Sequence, residues 1–325
     1  MANRQRSALV PRLVVVALVL AGVVVTLWPV GVTARNDADA AQRTRTYVEQ
    51  IEQVRSQHPT PDGGAPPSDP LAEQLEQARA YNARLRPDQL KDPWSGAGGT
   101  VDARRTEYLA ALSLTDAMGR LIVPRIQVDL PIHHDADKTS LMRGVGHMYG
   151  TSLPVGGPDT HAVLAGHTGM RARTYFDRLG ELEQGDEFVI QVSGAELRYR
   201  VDRISTVLPT ELAQIERVPG EDHVTLLTCV TPPGGKRNAL RLLVRGARIP
   251  DGPTTDATTQ VPRAVAVGGT PVATDFSIQA WMWPRLAVAG LALLALLGMC
   301  VGWWRADRRA ARTATNSTPS EGLRQ

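Results

Sequence analysis

The chain has 325 residues, 42% of them hydrophobic and 5% aromatic, enough for one sizeable folded domain with accessory segments rather than a string of small modules. Formal net charge is only +3. The basic residues gather in the tails, at Arg4, Arg6 and Arg12 and again at Arg305, Arg308, Arg309 and Arg312, so no folded segment carries the concentrated basic stripe that nucleic-acid binding requires.

In chain order, the first feature is an apolar run from Leu13 to Val32, LVVVALVLAGVVVTLWPVGV, long enough to cross a bilayer. It is longer than the h-region of a signal peptide and no small-x-small site closes it, so an uncleaved anchor is expected. A helix-compatible segment, Asp37 to Arg55, continues it, with Tyr47, Ile51 and Val54 in helical register. The Pro/Gly-rich stretch His58 to Pro70 reads as a loop. A second helix is predicted from Leu71 to about Leu85, with Asp69 placed to cap it. An irregular piece, Arg86 to Thr100, follows.

From Arg120 to about Arg248 the pattern changes to short apolar runs separated by Gly, Pro and Asp, which predicts compact β structure of the barrel or sandwich kind. Expected strands are Leu121–Val128, His161–Ala165, Glu187–Val192, Glu196–Ile204, His223–Thr228 and Leu240–Arg248. Beyond Ile249 a Thr-, Pro- and Gly-rich stretch reads as a flexible stalk. It leads to a second apolar run, Leu286 to Trp304, flanked by Trp281, Trp283 and a basic tail. Arginines on the outer-sequence side of both runs place the two termini in the cytoplasm and the intervening residues outside.

Only two cysteines exist, and Cys300 lies within the second apolar run. Cys229 is therefore a solitary thiol in a segment expected outside the cell, where thiols are exposed to oxidation. An apolar run delivers it to a strand end, and Pro232, Pro233, Gly234 and Gly235 then force a loop before the next strand. A thiol becomes a good nucleophile only beside a base or cation. Arg241 opens the following strand, where its fixed charge and five donors suit a developing oxyanion. Among seven histidines, His167 stands out in VLAGHTG, a sterically open position at a strand end. His58 belongs to the linker, and His133, His134, His147, His161 and His223 stay open as alternatives.

The blocks GVGHMYGTSLPVGGPDTHAVLAGHTG, TLLTC and LRLLVRG occur in this order, and together they resemble sortases, in particular the class C, pilin-polymerising branch. The likeness covers about residues 71–248. It implies Cys229 as nucleophile, His167 as general acid/base and Arg241, rather than Arg245, as the oxyanion-stabilising cation. Arg241 and Arg245 share a strand face, and only Arg241 lies at the loop end near Cys229. Leu240 stands where the family commonly has a histidine, and Val230-Thr231-Pro232 where it has Thr-Pro-Tyr. The implied fold is mainly β, a closed eight-stranded barrel with N-terminal helices, flanked by two transmembrane helices.

The corresponding organisation is a cytoplasmic basic N-terminus with a membrane anchor (1–34) and an extracytoplasmic helical region (35–119). The catalytic barrel (120–250), stalk (251–280), second membrane helix (281–304) and basic cytoplasmic tail (305–325) follow. The implied reaction is cleavage of an LPXTG-like signal between Thr and Gly through a thioester, with transfer to a pilin lysine. Attachment of surface proteins to peptidoglycan keeps the chemistry and changes the acceptor. A non-catalytic membrane-tethered β-domain with Cys229 merely buried is the reading from another class. The partners implied are LPXTG-type surface or pilin proteins, an acceptor amine and membrane lipid, without nucleic acid, and the acyl transfer needs no cofactor and no metal.

Lys91-Asp92-Pro93-Trp94 matches the lid (91–95) that class C sortases lay over their cleft. Asp92 would pair with Arg241 while the Trp94 ring covers the sulfur. Autoinhibition of this kind predicts faster alkylation of Cys229 in Asp92→Ala or Trp94→Ala protein, measured by mass spectrometry of the Cys229 peptide. Unchanged rates in both variants would count against the lid.

Overall fold

A computed structural model describes residues 2–58, 69–85, 103–170, 173–236, 238–250 and 281–316. The linker and stalk expected at 58–70 and 251–280, and the lid residues Asp92, Pro93 and Trp94, lie wholly or mostly outside the described residues. The chain divides into two compact units, one of residues 1–33 and 277–325, the other of residues 34–276.

The first unit is made of the beginning of helix α1 (Ala2–Gln57) and helix α5 (Trp283–Asn316). Both contain a stretch long and apolar enough to cross a membrane. Their large side chains face outward, with Leu13 65%, Leu291 67% and Leu294 66% exposed, a surface matched to hydrocarbon rather than water. Arg12 donates to Asp307 at 2.6 Å and its guanidinium lies 5.5 Å from the centre of the Trp303 ring. The start of one helix is thereby tied to the end of the other.

The second unit is a closed eight-stranded barrel with helices packed on it. Its strands are β1 (Gly119–Val123), β2 (Val128–His134), β3 (Val145–His147), β4 (Thr160–Ala165), β5 (Glu187–Val192), β6 (Ala195–Val207), β7 (Asp222–Val230) and β8 (Leu240–Arg248). The order around the barrel is β1-β2-β3-β4-β7-β8-β6-β5, with β5 returning to β1. Two contacts, β2 with β3 and β4 with β7, are parallel; the others are antiparallel. Closure leaves no strand edge open to pairing with another chain.

Alternation along each strand divides its residues between two apolar clusters. Leu121, Leu130, Ile132, Leu164, Ile190, Tyr199, Leu226 and Val244 belong to the principal core. Their sequence neighbours Val163, Ala165, Leu227 and Leu243 belong to a second cluster with Leu141, Met148, Val207 and Ile215. The second cluster therefore lies on the opposite face of the β4-β7-β8 wall.

Among the described residues, three helices precede the barrel in sequence. From Ala34 onward α1 docks on it: Thr44 Oγ1 donates to the Asp129 carbonyl at 3.4 Å and Tyr47 Oη to the Gln191 carbonyl at 3.2 Å. Helix α2 (Pro70–Ala83) begins at the Asp69 cap, whose carboxylate accepts the Leu71 N–H. Asn82 near its end both donates to the Leu153 carbonyl and accepts the Leu153 N–H. Helix α3 (Ala103–Ala110) inserts Tyr108, fully buried, between the rings of His134, His147 and Tyr149. The Tyr108 hydroxyl donates to the His147 carbonyl at 3.2 Å and accepts the Asp135 N–H at 2.9 Å.

The expected strand Leu121–Val128 proves to be the end of β1, a 3-10 turn at Pro124–Ile126 and the first residue of β2. Pro124 cannot donate to a ladder, and Gln127 takes a left-handed conformation, φ 56°, that reverses the chain. The rest of β2, strand β3 and helix α3 were not expected; β3, with three residues, is too short to show a period. Helix α4 (Lys138–Arg143), capped by Asp137, connects β2 to β3.

Under α1, the Arg120 guanidinium grips the Asp129 carboxylate through two hydrogen bonds of 2.7 and 2.6 Å, with both side chains 5% or less exposed. A third bond runs from Arg120 to Gln191 Oε1 at 3.1 Å, joining β1, β2 and β5. Removing one partner leaves the other charge buried and uncompensated. Arg120→Met is expected to destabilise the barrel by about 3–5 kcal/mol, measured by denaturant unfolding. A change below about 1 kcal/mol would show the pair to be dispensable.

Candidate active site

The site is built by three neighbouring strands and their register. In the β4-β7 parallel pair, Ala165 lies opposite Leu227. The alignment continues past the end of β4, where the Gly166 N–H donates to the Leu227 carbonyl at 3.0 Å and Thr228 Oγ1 donates to the Gly166 carbonyl at 2.7 Å. Counting on from this register brings His167 level with Cys229. In the β7-β8 antiparallel pair, Cys229 lies directly opposite Arg241. The nucleophile, histidine and arginine singled out from the sequence thus occupy one row across three adjacent chain segments.

Face follows from alternation. Cys229 is two residues beyond Leu227, and Arg241 two before Leu243, so both share the face of the second apolar cluster. Thr228, between them in parity, is buried on the core side. Cys229 is half-buried, reachable but partly shielded. Arg241 is 7% exposed and donates to the carbonyls of Asn238, at 3.0 Å, and Leu240, at 3.3 Å. Asn238 belongs to the β7-β8 connection, which is pinned in turn by a 3.0 Å bond from the Asn238 N–H to Thr231 Oγ1. Among the described residues, these backbone oxygens help to fix where the guanidinium stands. Arg245, by contrast, lies opposite Thr225 and is ion-paired to Asp202. It lies four residues further from the thiol along β8.

His167 is half-buried, and its pKa is held below the ordinary histidine value, first by burial and then by the Arg173 charge. Its carbonyl accepts the Phe176 N–H at 3.1 Å, closing the loop that leaves β4. The Phe176 ring covers Gly166 so closely that a Cβ there would sit 2.5 Å from a ring carbon. The glycine before His167 is required for this reason: a larger residue would push ring or loop away.

The remaining histidines are not brought to this row. His161 and His223 face each other across β4 and β7 with ring centres 5.5 Å apart, about 20 Å from His167 at 3.3 Å per residue. His161 is held by the Glu216 carbonyl and the Thr225 hydroxyl, and burial pushes its pKa down to about 4. His147 is fully buried with its ring against Tyr108 and the Ser152 carbonyl, and burial pushes it too down to about 4. His134 is bound to the Ala111 carbonyl, and His133 points to the α1 side, where burial pushes it down to about 4. These are structural histidines. Sequence reasoning missed the loop residues Arg173, Thr174 and Phe176 that surround His167, since nothing in their spacing ties them to it. Among the described residues, no cluster of three His, Cys, Asp or Glu side chains is arranged to hold a metal ion. A cavity of about 300 Å³ between Leu85, Ser152, His161, Ile215 and Arg217 lies at the opposite end of β4 from this row.

Residues 121–249 match the sortase domain family. The chain is 42% identical to sortase C-1 from Actinomyces oris, over 55% of this chain and 99% of that one, with a TM-score of 0.52. It is 37% identical to sortase C1 of Pilus Island 1 from group B Streptococcus (GBS), over 66% of this chain and 95% of that one, with a TM-score of 0.54. It is also 28% identical to sortase A of Bacillus anthracis over 137 residues, 42% of this chain and 62% of that protein, so the match spans less than two thirds of that relative. With a closed eight-stranded barrel of the same architecture and more than 30% identity along nearly the whole of these solved structures, the chain belongs to the sortase family.

Proposed function

We propose that the chain is a class C sortase, a membrane-anchored cysteine transpeptidase that joins pilin subunits, with Cys229, His167 and Arg241 as its catalytic groups. The observation that carries this reading is the register that sets His167, two residues past β4, level with Cys229 on β7, which in turn lies opposite Arg241 on β8. The similarity to sortase C-1 and to the sortase C1 of a pilus island supports the class and the acceptor.

In the proposed reaction the thiol proton of Cys229 passes to the neutral imidazole of His167, generating the thiolate. Sγ attacks the carbonyl carbon of the threonine in an LPXTG-like signal, and the resulting oxyanion develops beside Arg241. As the Thr–Gly C–N bond breaks, His167 returns the proton to the departing amine, leaving a thioester. A lysine amine of the next pilin then attacks the thioester, gives a proton to His167 and displaces Sγ. A depressed pKa suits His167 to begin this cycle uncharged. The lid reading of Asp92, Pro93 and Trp94 belongs to the same proposal. Two apolar helices whose outer ends are joined by Arg12 and Asp307 fit an anchor with both termini on one membrane side. The barrel then faces the outside, where the pilins are.

The decisive experiment incubates the full-length protein in detergent with an LPXTG-type peptide and a pilin carrying candidate lysines, and follows Cys229 by mass spectrometry. An acyl adduct on Cys229 and then an isopeptide product are expected. Cys229→Ala should form neither, and Arg241→Ala should lose about 10²–10³-fold in kcat. Arg241→Lys should not restore it, because a point ammonium lacks the planar fork. Wild-type protein that never forms the adduct would sink the proposal.

The charge of Arg173 supplies a separate check. Arg173 lowers the His167 pKa, so Arg173→Gln removes a cation that opposes protonation and must move the titration upward. The acidic limb of the kcat/KM profile, and the His167 ring signals in an NMR titration, should shift to higher pH. No shift, or a downward one, would show that Arg173 does not act on the imidazole.

A further inference from the structure

The loop that carries His167 is held by a residue far away in sequence. Asp37, one turn into the part of α1 that belongs to the barrel unit, accepts the Thr174 backbone N–H on Oδ1 at 3.2 Å and the Thr174 hydroxyl on Oδ2 at 3.0 Å. Thr174 lies 137 residues further along the chain and seven beyond His167. Between them the loop is cross-tied: the Phe176 N–H donates to the His167 carbonyl at 3.1 Å, the Gly169 N–H to Asp177 Oδ1 at 2.7 Å, and the Asp177 N–H to the Thr174 carbonyl at 2.9 Å. Tyr175, the next residue, is anchored separately through its hydroxyl to the Met142 carbonyl at 3.3 Å.

The Asp37 carboxylate is half-buried and carries a desolvation cost, offset by the two Thr174 hydrogen bonds and by the Arg173 charge. A half-buried carboxylate with both oxygens spent on one threonine is a costly way to fasten a surface loop. It is well suited to fixing that loop's position to a fraction of an ångström, because hydrogen bonds to a carboxylate are short and directional.

We propose that Asp37 is a positioning residue for the general acid/base: through Thr174 and the Phe176–His167 bond it sets where the His167 imidazole stands relative to Cys229. This rests on the reading of His167 given above. The membrane-proximal helix thereby contributes directly to active-site geometry, beyond tethering the barrel.

Full-length protein in detergent micelles, with isotope-labelled histidine and the His167 signal assigned through His167→Gln, provides the test. Asp37→Ala should shift or broaden the His167 ring resonance and lower kcat about tenfold with KM changed less than about twofold, the pattern of a misplaced catalytic group. Asp37→Asn should behave as wild type, because its amide oxygen still accepts the Thr174 N–H and its NH₂ donates to Thr174 Oγ1. Should Asp37→Ala fail to fold, Thr174→Val removes only the hydroxyl bond and should produce a smaller change of the same kind, which Thr174→Ser reverses. An unmoved His167 resonance in the alanine and valine variants, or an asparagine variant as impaired as the alanine one, overturns the inference. Wild-type protein that fails to turn over the peptide defeats the functional reading instead, and the NMR comparison still decides the role of Asp37.

Discussion

Strand β7 is hydrogen-bonded to a parallel neighbour on one side and an antiparallel one on the other, and this pairing decides what stands beside the thiol. Ala165 opposite Leu227 and Cys229 opposite Arg241 are two statements of register, and everything proposed about chemistry depends on both. A slip of one residue in either ladder would turn one of these polar side chains toward the core and an apolar one outward. The buried rows on the two faces of this wall, Val224 and Leu226 on one and Leu227 and Leu243 on the other, make such a slip costly, since each would carry buried methyl groups to the wrong environment.

Around that wall the rest of the unit acts as a frame. The Arg120–Asp129 pair and its bond to Gln191 lock β1, β2 and β5 beneath α1. Asn82 and Tyr108 fasten α2 and α3 to the segments before and after β3. These are polar contacts in buried places, satisfied on several sides, and they specify one arrangement of helices on barrel where apolar packing alone would tolerate several.

Much of this was legible in the sequence, and for identifiable reasons. Strands β5 and β8 were bounded to the residue because turn signals flank them, at Gly185 and Gly194 and at the Pro232–Gly235 loop and Pro250. Cys229, His167 and Arg241 stood out because each sits at a strand end with small or turn-forming residues beside it. What sequence pattern cannot carry is pairing: that β4 and β7 run parallel, which puts His167 level with Cys229, appears only when strands far apart in the chain are laid side by side. Asp37 was invisible for the same reason, as its partner lies in a loop more than a hundred residues away. The apolar residues around Pro124 carried the expected strand through the turn and stopped it at Val128, where β2 begins, because the reversal there is made by a left-handed glutamine rather than a glycine.

The topology also has a temporal consequence. His167 leaves β4 and Cys229 arrives on β7, with the whole β5-β6 hairpin between them in sequence and on the other side of the barrel in space. Their alignment is a non-local contact that forms only after a long loop has closed, and such contacts are late and slow to form. Cys229 and Arg241 meet within the β7-β8 hairpin, whereas His167 joins them only once β4 has paired with β7. On the roles proposed above, the thiol would gain its base only with barrel closure, and acyl transfer would wait for the completed fold.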